Sequence, residues 1–331
     1  MRLNSEIAGL LKRSIVWDNH GCMPHHDTMT WLQKLETYRQ GNVNVAMINL
    51  GDSFISLEQI VRMAAHIRNY VQLHPNEYLL LQSTEDIVRA KAEDKIAIGL
   101  DIEGAFSIGD QLSMIQLYYD LGVRWMSMVY NRRNLIGSGC HDDIDEGLTE
   151  FGRNVVREMD RVGIVKCCSH TGYRTAMEVL TASGKPTIFS HSNPRALVDH
   201  PRNIPDELID ACAATDGVIC INGVGLFLSK NNEAHPTLVA RHMDYVAQRV
   251  GSRHVGLGLD YVFDQGHMNS VLEEHAGTWP TKWGYRPGIA FLAPSEVPAI
   301  ANELLRLGWQ QVDVENALGG NLMRVAVAVW N

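Results

Sequence analysis

Several residues that can bind a metal ion or move a proton stand directly after short apolar runs of the chain. Three are histidines, His20, His170 and His191, and two are carboxylates, Glu103 and Asp260. One histidine after an apolar run is usually structural, but three at equivalent positions indicate a shared purpose. Imidazole and carboxylate form the ligand mixture that binds Zn²⁺ or a related ion while leaving a site for water. The sequence therefore suggests a metal-dependent hydrolase, in which the ion activates water and polarises a carbonyl group.

These residues are expected to meet because of the elements that carry them. Eight short apolar runs alternate with amphipathic segments of helical length, a pattern that favours parallel strands joined by helices. The runs cover residues 14–20, 43–50, 95–104, 123–131, 163–170, 186–191, 217–223 and 254–260. Eight strands close a (β/α)8 barrel, whose active sites lie at the carboxyl ends of the strands. We predict an α/β fold of this TIM-type barrel, with an open doubly wound sheet as the alternative.

The intervening segments have apolar residues at spacings of three and four, as helices do. The clearest helical segments are 56–74, 150–163, 205–217 and 237–251. No linker, repeat or low-complexity stretch divides the chain, so we predict a single domain over residues 1–331. The residues that end the eight runs, and that would surround the mouth of the barrel, are His20, Asn49, Glu103, Tyr130, His170, His191, Asn222 and Asp260.

Composition limits the possible partners of the protein. The 331 residues include 29 Lys and Arg against 38 Asp and Glu, a net charge of −9 with neutral histidine, which argues against nucleic-acid binding. No apolar stretch has the length of a signal peptide core or of a membrane span, so we predict a cytoplasmic protein without a membrane partner. The six cysteines form no CxxC pair and are predicted to be reduced thiols.

Motifs of other catalytic classes are missing from the sequence. There is no G-x-S-x-G elbow, no H-E-x-x-H helix and no phosphate-binding G-x-x-x-x-G-K-[ST] loop. The Gly256-Leu257-Gly258 turn lacks the third glycine of a dinucleotide-binding loop. Thiolate catalysis by Cys22 or Cys140 is a minor alternative, because a free cysteine most often only fills space.

A series of motifs in a fixed order resembles the membrane (renal) dipeptidase family of zinc peptidases, within the metal-dependent amidohydrolase superfamily. The resemblance extends from about residue 14 to the end of the sequence. The shorter motifs are IEG at 102–104, SHTG at 169–172, HPRNIPDEL at 200–208 and GGNLMRV at 319–325. The longer ones are GLTEFGRNVVREMDRVG at 147–163, IFSHSNPRAL at 188–197 and RHMDYVAQRVGSRHVGLGLD at 241–260.

The resemblance implies a barrel that holds two zinc ions joined by Glu103 and a bridging hydroxide. His20 would bind the first ion, and His170 and His191 the second. Arg202 matches the residue that receives a substrate carboxylate, a task that suits the planar fork of a guanidinium. Asp260 matches the carboxylate that handles the proton passing to the leaving amine.

Two positions depart from the family pattern. The first motif of the family reads His-x-Asp, whereas this chain has Cys22 two residues after its histidine. Cys22 could bind zinc as a thiolate, or it could leave the first site weak or empty, so one or two ions are expected. On the fourth run the family has His-Asn and this chain has Tyr130-Asn131. Tyr130 could donate to a developing oxyanion or could only pack, and Asn131 is a candidate for substrate binding.

Two polar stretches on the loop after the fourth run, 131–134 and 140–143, are further candidates for substrate contacts or for a lid. His25 and His26 are predicted to be surface residues.

The function that fits best is a zinc-dependent, dipeptidase-like hydrolase that cleaves a peptide or amide bond in a small substrate with a free carboxylate. Glu103, Asp260 and Tyr130 are the predicted catalytic residues, and His20 and Cys22 belong to the predicted ligand set with the two later histidines. Hydrolysis of a lactam, a lactone or a modified amino acid is the alternative activity. A barrel that has lost its first metal and only binds a peptide or a protein is the alternative outside catalysis. The family resemblance also suggests a homodimer.

Overall fold

A computed structural model describes residues 5–24 and 29–331 of the chain. Its ten strands are β1 Trp17–Cys22, β2 Val45–Asn49, β3 Tyr78–Leu80, β4 Ile96–Ile102, β5 Val123–Ser127, β6 Val165–Cys167, β7 Thr187–Ile188, β8 Ile219–Ile221, β9 Val255–Leu257 and β10 Tyr261–Val262. Each of the eight predicted runs contains a strand, and β3 and β10 are additions of three and two residues. His25 and His26 lie outside the described residues.

The strands form one parallel sheet that is nearly closed. The order of eight neighbours is β7-β6-β5-β4-β2-β1-β9-β8, while β3 pairs with β4 and β10 pairs with β1. A parallel bridge between Phe189 and Ile219 joins the two ends of this order. The fold class is therefore confirmed as a (β/α)8 TIM-type barrel, and the extent of one domain over residues 1–331 stays a prediction.

The strands read as continuous apolar runs because helices cover the outer face of the sheet while other side chains fill its interior. The longer helices are α3 Leu57–Leu73, α6 Glu150–Val162, α7 Tyr173–Ala182, α10 Pro236–Val250, α11 Gln265–Glu274 and α12 Val297–Arg306. The shorter ones are α1 Ser5–Arg13, α2 Glu36–Gln40, α4 Thr84–Ala92, α5 Met114–Leu121, α8 Asp206–Ala214, α9 Gly225–Leu228, α13 Gln311–Glu315 and α14 Asn321–Val329.

The four predicted helical segments correspond to α3, α6, α8 and α10. Ser56 caps α3 through a capping box with Gln59, and the side chain of Thr149 caps α6. Helix α8 ends earlier than the predicted 217 because Asp216 has a left-handed φ of 60°, which stops the helix after Ala214.

Two hydrophobic clusters hold the barrel together. The larger one joins the outer face of the sheet to the surrounding helices. The smaller one fills the interior with side chains such as Trp17, Met47 and Trp125, and α14 adds Leu322 and Val325 to it. Because α14 packs with Trp17, the first residue of β1, it closes the barrel near the amino ends of the strands. The opposite, carboxyl end is the one left for a site. None of the described helices is both long enough and apolar enough to span a membrane.

Candidate active site

The structure brings the predicted residues together at the carboxyl ends of the strands. His20 lies within β1, which extends two residues further than its predicted end. Glu103 and Asn222 directly follow β4 and β8, whereas Tyr130, His170, His191 and Asp260 each stand three residues after a strand. Parallel strands in a barrel end at one rim, so these side chains converge on one mouth.

At the centre of this group, a buried carboxylate faces two buried imidazoles. Oε1 of Glu103 lies 2.6 Å from Nε2 of His170 and 2.8 Å from Nε2 of His191. The two imidazole nitrogens are themselves 2.8 Å apart. On the other side, Nε2 of His20 lies 3.6 Å from Oε2 of Glu103 and 3.6 Å from Oδ1 of Asp260. Nitrogen and carboxylate oxygen atoms thus converge from five different strands.

The two later histidines each use their Nδ1 atom in a hydrogen bond, which leaves Nε2 facing the site. Nδ1 of His170 donates to the side-chain oxygen of Asn131 over 2.8 Å, so Nε2 of the neutral ring carries the lone pair. Nδ1 of His191 is occupied by the hydroxyl group of Ser190 at 2.7 Å. Burial lowers the pKa of each of these two histidines to about 3, which keeps both rings neutral at physiological pH.

This donor set fits a divalent metal ion. Two buried ring nitrogens and a carboxylate oxygen lie at mutual distances of 2.6–2.8 Å, and a shared metal ion suits such a set of ligand atoms. Ligand atoms of His20, Glu103 and His191 all lie within 4.8 Å of one another. Neither ring nitrogen of His20 makes a hydrogen bond with the described residues, although the ring is fully buried. A metal ion at Nε2 would satisfy one of these two nitrogens.

Arg202 is the second chemical feature of the mouth. Its side chain is buried, and its Nη2 atom donates to Nε2 of His170 over 3.0 Å. The guanidinium also lies 5.4 Å from the ring centre of Phe227. No carboxylate of the described residues is within ion-pair distance of it, which is unusual because buried charges are normally paired. An unpaired, buried guanidinium is suited to receive the carboxylate of a ligand.

A family model described as membrane dipeptidase, peptidase family M19, matches residues 27–279. The chain belongs to this family.

Relatives with known names and structures are in keeping with this membership. Dipeptidase tcpJ of Claviceps purpurea is 28% identical over 262 residues, which are 78% of this chain and 57% of the relative. Dipeptidase 3 of Rattus norvegicus is 28% identical over 278 residues, 82% of this chain and 51% of the relative. The chain spans about half to two thirds of the length of the curated relatives that it matches. A crystal structure of an amidohydrolase from Pseudomonas aeruginosa superimposes with a TM-score of 0.87 at 29% identity, covering 98% of this chain and 99% of the other.

The two departures from the M19 pattern take different places in the site. Cys22 lines the cavity at the mouth together with Glu103 and Asp260. Burial raises the pKa of its thiol well above the ordinary value. The ring of Tyr130 stacks on the ring of His170 with 4.2 Å between centres. Gly104, at a φ of 89°, permits this approach, because a Cβ atom there would lie 2.9 Å from Cβ of Tyr130.

Three site residues have a left-handed backbone conformation, which residues other than glycine rarely adopt. The φ angles are 55° at Asn131, 67° at His170 and 55° at Asp260. Asp260 is further held by the side-chain amide of Asn222, which donates to its Oδ2 atom over 2.9 Å. Strained conformations of this kind persist where the surrounding structure fixes a functional geometry.

Asp101 is a neighbour of the site that the sequence pattern does not single out. It is fully buried, and its Oδ1 atom lies 3.4 Å from Nδ1 of His20 and 3.3 Å from the side-chain nitrogen of Asn49. A carboxylate behind a metal-binding histidine orients the ring and increases its basicity. The available signal was a charged residue inside an apolar run, two positions before Glu103.

The polar loop after β5 does not lie free in solvent. Arg132 donates to the main-chain oxygen of Gly277 over 3.0 Å, and Nδ1 of His141 donates to that of Thr278 over 3.0 Å. Asn131 contacts His170, as described above, rather than the open mouth. The loop therefore connects the rim of the barrel to the segment that covers it, which includes residues 277 and 278.

Proposed function

We propose that this protein is a metal-dependent dipeptidase that cleaves the peptide bond of a small substrate with a free carboxylate. The observation that carries the proposal is the position of Arg202, a buried guanidinium without a carboxylate partner, in hydrogen-bond contact with His170 of the donor cluster. A recognition group for a carboxylate thus adjoins a set of metal ligands. In a dipeptide the carboxylate lies one residue from the scissile bond. This spacing matches the short distance between Arg202 and the metal ligands.

The ion would be held by Glu103, His170, His191 and His20. Zinc is the ion that best suits this mixture of nitrogen and carboxylate ligands. When bound, such an ion lowers the pKa of water toward about 7 and polarises a carbonyl group, whether one or two ions are present. Cys22 adjoins this set and is a candidate ligand for a first ion.

The remaining groups of the chain have separate tasks. Arg202 binds the substrate carboxylate and so fixes the scissile carbonyl carbon near Glu103. Asp260 takes a proton from the attacking water and passes it to the leaving amine, while Asn222 holds the other oxygen of this carboxylate in place. Tyr130 donates to the carbonyl oxygen as negative charge develops on it, and Asn131 keeps the ring of His170 oriented.

The proposal is tested with zinc-reconstituted protein on L,L and L,D dipeptides, with simple lactams and lactones in the same panel. We expect hydrolysis of at least one dipeptide, loss of turnover with a chelator, and recovery with added zinc. Cleavage of lactams or lactones but of no dipeptide would replace the proposal with the alternative amidohydrolase activity. A zinc-loaded, folded protein that cleaves nothing in the panel would contradict it and favour a binding role. The predicted homodimer and cytoplasmic location stay predictions.

A further inference from the structure

The mouth of the barrel is covered by one stretch of chain, residues 263–292, here called the roof segment. It contains α11 and a short 3-10 turn at Thr281–Trp283. Phe263 and Leu292, at its two ends, belong to the main core, whereas the buried residues between them form part of a third hydrophobic cluster. Trp279, Tyr285 and Ile289 of the roof segment pack there with Tyr130 and Phe227 of the barrel rim. Between its two ends, the roof segment therefore packs on the site.

The cavity between the roof segment and the donor cluster has two unlike walls. One wall carries the charged and polar groups Glu103, His170, Arg202 and Asp260. The roof segment contributes apolar side chains to the other wall, namely Met268, Trp279, Ile289 and Phe291, together with the ring of Tyr285. No charged side chain of the roof segment lines the cavity.

A second cavity, of about 230 Å³, lies on the far side of His170 and Arg202, which line both spaces. Its wall is more polar and includes Asp142, Thr171 and Arg195. A substrate whose carboxylate is bound by Arg202 has its carboxyl-terminal residue at the boundary of the two cavities. The amino-terminal residue, on the other side of the scissile bond, then lies under the roof segment.

We propose that the roof segment forms the binding pocket for the side chain of the amino-terminal residue and that it selects an apolar side chain. This inference depends on the proposed dipeptidase activity and adds a substrate class to it. A charged side chain placed against Met268, Trp279 and Ile289 loses its hydration without gaining a partner, which costs free energy that an apolar side chain does not lose. Met268 is the best placed to determine this specificity, because it is only half-buried and projects from α11.

The size of the cavity adds a condition to the proposal. Its volume is about 50 Å³, enough for a few water molecules but below the roughly 300 Å³ of small ligand sites. The proposal therefore includes an outward shift of the roof segment when a substrate enters. The roof segment is fastened at its middle by hydrogen bonds from rim side chains to its main-chain oxygens: Arg132 to Gly277, His141 to Thr278, and His200 to Trp283. At its ends the roof segment is joined to the barrel by main-chain hydrogen bonds from Phe263 to Cys22 and from Leu292 to Gly223, so the shift is confined to its middle.

The test compares kcat/KM for Leu-Gly, Lys-Gly and Glu-Gly, which differ only in the amino-terminal side chain. We expect Leu-Gly to exceed the two charged dipeptides by roughly tenfold or more, as hydrophobic pockets discriminate. M268E should shift the ratio of Lys-Gly to Leu-Gly upward by roughly tenfold, and M268K should do the same for Glu-Gly, because each supplies the opposite charge. S270E, which adds a charge to an exposed position of α11, is the matched control and should leave both ratios unchanged.

Two kinetic outcomes overturn the inference. One is equal kcat/KM for the three dipeptides in the wild type. The other is that M268E and M268K leave the ratios of kcat/KM unaltered while both variants stay folded and active. These results are distinct from failure of the proposed function, in which no dipeptide is cleaved at all. Calorimetric binding of the three dipeptides to the Glu103→Gln protein gives a readout of the same preference that does not require turnover. Equal affinities there would also contradict the apolar pocket.

Discussion

Arg202 donates a hydrogen bond over 3.0 Å to Nε2 of His170, the nitrogen that faces Glu103. The single lone pair of this nitrogen therefore serves either the guanidinium or a metal ion, because it cannot accept a hydrogen bond and bind an ion at once. Occupation of the donor cluster would release this donor of Arg202 for a new partner. The group that recognises a substrate carboxylate thus becomes available when the site is loaded.

The first prediction concerns carboxylate recognition by Arg202. Arg202→Met should lower kcat/KM for a dipeptide by roughly 100-fold, since loss of one partner of a buried charge pair costs about 3 kcal/mol. The measurement is kcat/KM for Leu-Gly and for its carboxyl-terminal amide. The wild type should prefer the free acid strongly, and the variant should lose that preference. Arg202→Lys, which keeps the charge without the fork, should be intermediate. An undiminished preference in Arg202→Met would assign the carboxylate to another group.

The second prediction concerns Cys22, where the family pattern has an aspartate. Cys22→Asp should preserve or raise both activity and bound zinc, because it restores a carboxylate oxygen beside His20. Zinc per chain and kcat are measured for the wild type, Cys22→Asp and Cys22→Ala. If Cys22→Asp loses its zinc, the thiolate is a specific ligand and the aspartate does not replace it.

The third prediction concerns the fastening of the roof segment. Arg132→Ala removes a donor to the main-chain oxygen of Gly277 and should raise KM roughly fivefold, as loss of a hydrogen bond worth about 1 kcal/mol does. The unfolding temperature should barely change, because Gly277 lies in the middle of the roof segment, away from the core residues Phe263 and Leu292 at its ends. Arg133→Ala is the control, since Arg133 is exposed and pairs with Glu146. An unchanged KM would show that this bond does not hold the roof segment over the substrate.

The fourth prediction concerns stability in acid. Burial lowers the pKa of His242, whose ring contacts the main-chain oxygen of Leu228, to about 4. In the unfolded chain the histidine pKa is about 6.5, so the unfolded chain takes up a proton at a higher pH than the folded protein does. The stabilisation is therefore present at neutral pH and is lost as the pH falls below about 6.5. Between pH 7 and pH 5, His242 should account for about 2 kcal/mol of the loss.

The free energy of unfolding of the wild type and of His242→Gln, measured by denaturant titration at pH 7 and pH 5, tests this assignment. The variant should lose less stability between the two pH values. His66→Gln, at an exposed position, should behave like the wild type. Identical pH dependence in His242→Gln and wild type would show that His242 is not the group responsible.

The sequence was sufficient to predict the eight barrel strands and the groups at their ends, because parallel strands buried on both faces leave continuous apolar runs. It did not predict β3 and β10, which are too short to show a period. Asp101 was overlooked because it lies inside a run rather than at its end. The roof segment was not predicted either, because Met268, Trp279 and Ile289 meet through tertiary folding and follow no common spacing.

The placement of Cys22 shows a different limit. Its position two residues after His20 identifies the departure, whereas only the three-dimensional arrangement shows that it lines the cavity with Glu103 and Asp260. Sequence spacing shows which residues are close along a strand, whereas binding of a metal ion depends on the direction in which each side chain points.

The most direct measurement compares dipeptide hydrolysis and zinc content in the wild type and in Glu103→Gln. The substitution keeps the shape of the side chain but removes the negative charge that faces His170 and His191. We predict that the variant stays folded, with an unchanged far-UV spectrum, and loses turnover by at least about 1,000-fold, as expected when a group at the centre of an active site is removed. Most of the activity remaining in a folded Glu103→Gln protein would contradict the central role of this carboxylate and the dipeptidase mechanism built around it.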